Sequence, residues 1–177
     1  MASKLITLQA LLVQELHNLY SAEAQLIKVL PKIAQTASSE NLKHTFENMW
    51  AQTKNHAQRL IRVTDCLEES ASGTNCKAIE SLIAAMETME SLIAESSEFI
   101  EEDCDNIVKD AGLICAAQKV VYYKIAGYDS AITIAEGLGL NEILQLLQQT
   151  LKEERSAVQV LTEIARSISQ PNGTIAQ

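Results

Sequence analysis

The sequence predicts an all-α fold: a four-helix bundle built from two antiparallel helical hairpins, with a fifth, long helix crossing between them. Three observations carry that prediction. Only six glycines and two prolines interrupt 177 residues, and the long segments are filled by Leu, Ala, Glu, Gln, Lys and Met, which favour helix by intrinsic preference. Apolar positions recur at alternating three- and four-residue steps, which gathers them on one helical face, while strand-like alternation is nearly absent. Residues suited to caps and turns cluster at "TASSEN" near 36–41, "SASGTN" near 70–75, "EEDCDN" near 101–106 and "GLGLNE" near 137–142.

The first helix, expected over 4–36, has a core seam of Leu5, Leu8, Leu12, Leu16, Leu19, Glu23, Leu26, Leu30 and Ile33, interrupted by a single glutamate. The second, over 39–69, reads Leu42, Phe46, Met49, Thr53, His56, Leu60, Val63 and Leu67, with the histidine one turn beyond Thr53. The third, over 75–99, would extend ~37 Å at ~1.5 Å per residue, close to the length of its neighbours, so it can cross the bundle from end to end. The fourth, over 104–138, reads Leu113, Ala117, Val120, Lys124, Gly127, Ala131, Ile134 and Leu138, a small or apolar seam that holds one lysine. The fifth, over 141–169, reads Ile143, Leu147, Thr150, Glu154, Ala157, Leu161, Ile164 and Ile168. Short turns pair the first helix with the second and the fourth with the fifth. The crossover then gives the connectivity of a ferritin-like bundle rather than a simple up-and-down one. Residues 1–170 are expected to form one domain, and 171–177 a disordered tail.

The interruptions converge. Measured from its own turn, each of Glu23, Lys124 and Glu154 lies about 15 residues deep and His56 about 18, so turns at opposite ends bring all of them to mid-height. Burying charge is costly unless it is paired or binds a metal, so this is expected to be one central polar layer: Glu23, His56, Lys124 and Glu154, with Gln52 and Tyr123 as further hydrogen-bonding neighbours. Two chemistries fit. One is a metal site with carboxylate and imidazole ligands from Glu23, His56 and Glu154. The other is an ion network in which Lys124 bridges Glu23 and Glu154.

A formal net charge of −9 repels nucleic-acid phosphates and anionic lipid, so neither is expected as a partner. The N-terminal "LITLQALLVQEL" is broken by Thr7, Gln9 and Gln14 and lacks a small-residue cleavage site, and no apolar run reaches the ~20 residues a bilayer span needs. A cytoplasmic protein is expected. Cys66, Cys76, Cys104 and Cys115 form no CxxC pair and read as reduced thiols on helices, with a Cys66–Cys76 bridge as the alternative. His17 and His44 read as solvated surface residues. Trp50, Tyr122 and Tyr123 read as packing, and the acidic run "ESSEFIEEDCDN" as a solvated, capping stretch. No phosphate-binding glycine loop or nucleophile arrangement is visible, and no catalytic residue is assigned. A second apolar stripe on the fourth helix (Ile114, Val121, Ile125, Tyr128, Ile132, Ala135) and one on the crossover (from Ile79 to Ile93) must be covered, by each other or by a homodimer partner. A homodimer is expected.

"LYSAEAQL" (19–26), "AQTKNHAQRL" (51–60), "AAQKVVYYKIAGY" (116–128) and "TLKEERSAV" (150–158) together resemble the YciF/YciE-type family of bacterial ferritin-like proteins, over about residues 8–166. That family is associated with stress, and its biochemical activity is unsettled. The resemblance implies a di-iron or di-manganese carboxylate centre, and most of its ligands are replaced here. The first-helix pattern Tyr-x-Ala-Glu is kept as Tyr20, Ala22 and Glu23. The second-helix Glu-Glu-Thr is replaced by Ala51, Gln52 and Thr53, with His56 retained. In the fourth helix Val121, Tyr122, Tyr123 and Lys124 stand where the family has Glu-His-Tyr-Glu. In the fifth, Glu153 and Glu154 remain and Val158 replaces an aspartate. A di-metal centre needs about four carboxylates and two histidines, and Lys124 puts an ammonium group, with no lone pair to donate, at a ligand position. The expectation is a non-catalytic, stress-related binding or assembly protein with no cofactor and an unknown ligand. The alternative is a mononuclear or di-metal Fe or Mn oxidoreductase or iron-handling protein.

Overall fold

The computed structural model describes residues 7–70 and 105–169. Among them stand four helices: α1 (Leu8–Thr36), α2 (Glu40–Ser70), α3 (Asn106–Gly137) and α4 (Asn141–Ser169). The predicted crossover over 75–99, its apolar stripe and the tail at 171–177 fall outside the described residues, as do Cys76 and Cys104. No helix among the described residues is long and apolar enough to cross a membrane.

Local chemistry sets the helix ends. Thr7, extended at φ −78° and ψ 156°, accepts the Ala10 N–H on its hydroxyl at 3.1 Å. The first helix thus begins four residues later than the apolar pattern alone suggests, because a threonine cap outweighs the periodicity of Leu5. α2 starts behind Ser39, whose hydroxyl faces the Leu42 N–H at 3.5 Å. It receives a second cap from another element: the buried carboxylate of Asp110 on α3 accepts the Ser38 and Ser39 N–H groups at 2.8 and 3.0 Å. Asp105 caps α3 by accepting the Ile107 N–H at 2.9 Å. α3 ends in a Schellman turn: Gly139, at φ +70°, donates to the Glu136 carbonyl, and Leu140 donates to the Ala135 carbonyl, each at 3.0 Å.

Pro31 lies inside α1 and has no N–H, so the Ile27 carbonyl loses its helical donor. Trp50 on α2 supplies one, its indole N–H donating to the Ile27 oxygen at 3.0 Å. Lys54 then sits over the indole, its Nζ 3.4 Å from the ring centroid.

The neighbouring helix pairs are α1 with α2, α1 with α3, α2 with α4, and α3 with α4. The core falls into two apolar halves. In one, Leu30 and Ile33 of α1 meet Leu42 and Phe46 of α2, Leu113 and Ala117 of α3, and Leu161 and Ile164 of α4. In the other, Leu12 and Leu16 meet Leu60 and Val63, Tyr128 and Ala131, and Ile143 and Leu147. The residues brought together make every neighbouring pair antiparallel. The chain leaves α2 at the end where α3 turns into α4 and enters α3 at the opposite end.

α3 is buried around much of its circumference and leaves a stripe through Cys115, Lys119, Tyr122, Ala126 and Ser130 exposed. Ile114, Val121, Tyr128, Ile132 and Ala135, from one of the two stripes behind the homodimer expectation, are each no more than 8 % exposed, and Ile125 of the same stripe is half-buried. On α4, Val158 and Leu151 are buried where the seam had named Ala157, which is half-buried, and Leu138 lies exposed in the turn. Cys66, half-buried, and Cys115, exposed, are free thiols, so the alternative bridge from Cys66 is not made.

Candidate functional site

Between the two apolar halves lies one polar layer to which each helix contributes a core-facing charged residue: Glu23 from α1, His56 from α2, Lys124 from α3 and Glu154 from α4. None is more than 3 % exposed. Each replaces an apolar residue in an otherwise continuous seam, between Leu19 and Leu26, Thr53 and Leu60, Val120 and Tyr128, and Leu151 and Val158. Packing of the flanking turns fixes their height.

The Lys124 ammonium lies 2.9 Å from Glu23 Oε2 and 2.6 Å from Glu154 Oε1. The other Glu23 oxygen, Oε1, accepts the Tyr128 hydroxyl at 3.0 Å. His56 Nε2 donates to Glu153 Oε2 at 2.9 Å. Its Nδ1 lies 2.8 Å from Glu154 Oε1 and 3.6 Å from Glu23 Oε1, but neither contact has hydrogen-bond alignment. The attraction there is Coulombic, and it requires a proton on Nδ1, since a bare lone pair would face carboxylate oxygens at close range. Outside the layer, Arg59 grips Glu153 through both arms, at 2.6 and 2.9 Å, and also reaches Thr150 Oγ1 at 3.2 Å, while Gln149 adds a bond to Glu153 at 3.1 Å.

These neighbours tune the charges. Burial alone would push the His56 imidazole down, but Glu154 and Glu23 outweigh it and raise the group to about 9, against the opposing Lys124 charge. Burial likewise opposes the charge on Lys124, and Glu154 and Glu23 overcome it, so the amine is held above its ordinary value. Burial would raise Glu154, yet Lys124 and His56 hold it below the usual carboxylate range. Glu153, raised by burial but bonded to Arg59 and His56, falls to about 2. Burial, reinforced by Glu23 and Glu154, raises the Tyr128 phenol well above its usual value. Counted with His56 protonated, the acids Glu23, Glu153 and Glu154 are matched by His56, Arg59 and Lys124.

A carboxylate oxygen each from Glu23 and Glu154 and one ring nitrogen of His56 lie within 4.8 Å of one another, close enough to share a metal ion. The donors suit a divalent cation, but the Lys124 ammonium does not. It already contacts both carboxylates, and a dication about 4 Å from it would meet roughly 8 kcal/mol of repulsion at an effective dielectric of about 20. With Lys124 in its present position the residues do not fit a metal.

The structure thus brings together Glu23, His56, Lys124 and Glu154 and leaves out Gln52, which is exposed on α2. Gln52 is a helical turn before His56, but the buried side of α2 runs through Thr53, His56 and Leu60, so position 52 turns to solvent. Tyr123 is half-buried, and the phenol that bonds the layer belongs to Tyr128. Tyr128, Glu153 and Arg59 were not read from the sequence as members of this site. His44 is exposed and pairs with Glu47 at 3.1 Å.

Comparison with known proteins identifies the family. The family described as "Domain of unknown function (DUF892)" matches residues 7–89 and 85–172. Protein YciF of Escherichia coli (strain K12) is 37% identical over 159 residues, 90% of each chain. The crystal structure of the E. coli stress protein YciF superposes with a TM-score of 0.80 at 36% identity, covering 92% of this chain and 96% of that one. YcfI from Rhodopseudomonas palustris, whose description suggests a structural role, gives a TM-score of 0.77 at 32% identity, covering 92% of this chain and 98% of the other. With matches running nearly from end to end of the bundle, the chain belongs to the DUF892 family and is of the YciF type.

Proposed function

We propose that this protein is a ferritin-like bundle with a non-catalytic, stress-related binding or assembly role, in which the Glu23–His56–Lys124–Glu154 network substitutes for a di-metal centre. The observation that carries the reading is the Lys124 ammonium seated between Glu23 and Glu154. A fixed positive charge there does the neutralising that bound cations would otherwise do, and it removes the vacancy into which a substrate such as dioxygen would come. The ferritin-like connectivity is supported by the chain leaving α2 at one end of the bundle and entering α3 at the other. A stress-related role rests on likeness to YciF, which is called a stress protein. A cytoplasmic location belongs to the same reading.

A second reading is a mononuclear Fe or Mn site on Glu23, His56 and Glu154. The hydrogen bond from His56 Nε2 to Glu153 favours it, because a carboxylate on the far nitrogen is how metal-binding imidazoles are commonly oriented. Elemental analysis after incubation with Fe(II), Mn(II) and Zn(II), followed by desalting, separates the two. The expected result is no stoichiometric metal in the natural chain and uptake by Lys124→Glu. One equivalent in the natural chain would establish the mononuclear reading, and two would restore a di-metal centre.

A further inference from the structure

The charges of the polar layer alternate around the bundle. Passing from helix to neighbouring helix, α1 presents Glu23, α3 Lys124, α4 Glu154 and α2 His56, and the circuit closes on Glu23. The successive contacts are 2.9, 2.6, 2.8 and 3.6 Å. Every neighbouring pair of helices is joined by an acid and a base, and every diagonal pair carries the same sign. We infer that this ring is a docking key: it specifies which helix of the second hairpin lies beside which helix of the first.

The alternative it excludes is concrete. Apart from Phe46 and Tyr128, the two apolar halves of the core are built from Leu, Ile, Val and Ala, and such aliphatic packing discriminates weakly between docking orders. If α3 and α4 exchanged places, Glu23 would face Glu154 and Lys124 would face His56, like beside like in a buried layer where such contacts cost most. Each hairpin holds one acid and one base, so either could close on itself. Only their mutual placement is decided by the sign pattern. The inference rests on the layer being an ion network rather than a metal centre. It assigns that network a role in selecting one structure, which is distinct from adding net stability.

Inverting one hairpin tests it. In K124E/E154K the natural docking sets like charges together along α1–α3 and α2–α4, and the exchanged docking sets opposites together. Spin labels at Lys28→Cys on α1 and Gln159→Cys on α4, both exposed, with the native cysteines changed to serine and EDTA present, report the diagonal distance by double electron–electron resonance. The half-inverted chain should either gain a shorter α1–α4 distance or lose roughly 10 °C or more of melting temperature. The fully inverted E23K/H56E/K124E/E154K, whose ring alternates again, should recover the natural distance and cooperative melting. A half-inverted chain that melts and measures like the parent overturns the inference, as does a full inversion that recovers nothing, unfolded or not. Metal analysis of the parent keeps the two ideas apart. Bound metal removes the ion-network reading and the key with it, whereas a metal-free parent with indifferent variants removes the key alone.

Discussion

Trp50 repairs a defect in another helix. Pro31 strips the Ile27 carbonyl of its donor, and the indole N–H at 3.0 Å replaces it. Trp50→Phe keeps most of the ring but leaves a part-buried carbonyl unpaired, and should cost about 1–3 kcal/mol in urea unfolding. Pro31→Ala restores the missing N–H, so the same Trp50→Phe change should cost clearly less in that background. Equal losses in both would mean that the indole acts only by filling space. The sequence marks Trp50 as a packing residue and is silent on this bond, because pairing a side chain with a backbone atom on another helix depends on register between helices. The same limit hides Tyr128, which reads as one more member of an apolar stripe until its hydroxyl is found on Glu23. It also hides Arg59 and Glu153, which lie beside the seam and reach it only through long side chains. Gln52 fails in the opposite direction, since four-residue spacing from His56 is compatible with either flank of the buried face.

At the scale of elements, α1 side chains close over α3 at Gly127. A Cβ placed there would come within 2.8 Å of Leu19 Cδ2 and 2.9 Å of Glu15 Oε1. Gly127→Ala gains helix propensity but must push both side chains aside, and overpacking of this kind typically costs ~1–3 kcal/mol. Reduced stability in thermal melts, with the helical circular dichroism retained, is the expected outcome. A stabilised variant would show that the two helices separate freely. Helix identity was legible throughout the described residues because the periodicity runs for eight turns or so per element. The ends of α2, α3 and α4 follow from Ser, Asp, Asn and Gly signals. The start of α1 is hidden in the sequence because Leu5 continues the apolar pattern beyond the Thr7 cap. The cap that Asp110 offers α2 has no local signature, since its partners are more than 70 residues away.

For the molecule as a whole, the polar layer makes stability depend on pH in a window set by its own groups. The folded protein raises His56 from 6.5 to about 9, so its contribution is fully present below pH 6.5 and is lost as the pH climbs through 9. That loss amounts to about 3 kcal/mol. Glu153 is lowered from 4.5 to about 2, so its contribution is fully present above pH 4.5 and disappears as the pH falls through 2. Melting temperature should therefore plateau between pH 4.5 and 6.5 and decline on both sides, and His56→Gln should flatten the alkaline decline. A melting temperature unchanged from pH 6 to 10 would refute the charged imidazole. That four helices converge on one layer could be anticipated from depth along each seam, because rise per residue converts sequence separation into height. Which charges touch, and in what cyclic order, could not, because that depends on how the hairpins dock. The indole that mends α1 has one more use. Trp50 is the only tryptophan, and its ring bridges the first hairpin, so intrinsic fluorescence observes that hairpin while ellipticity averages over all helices. A lag between the two signals during refolding would time the closing of one half of the bundle against the other, with no dye attached.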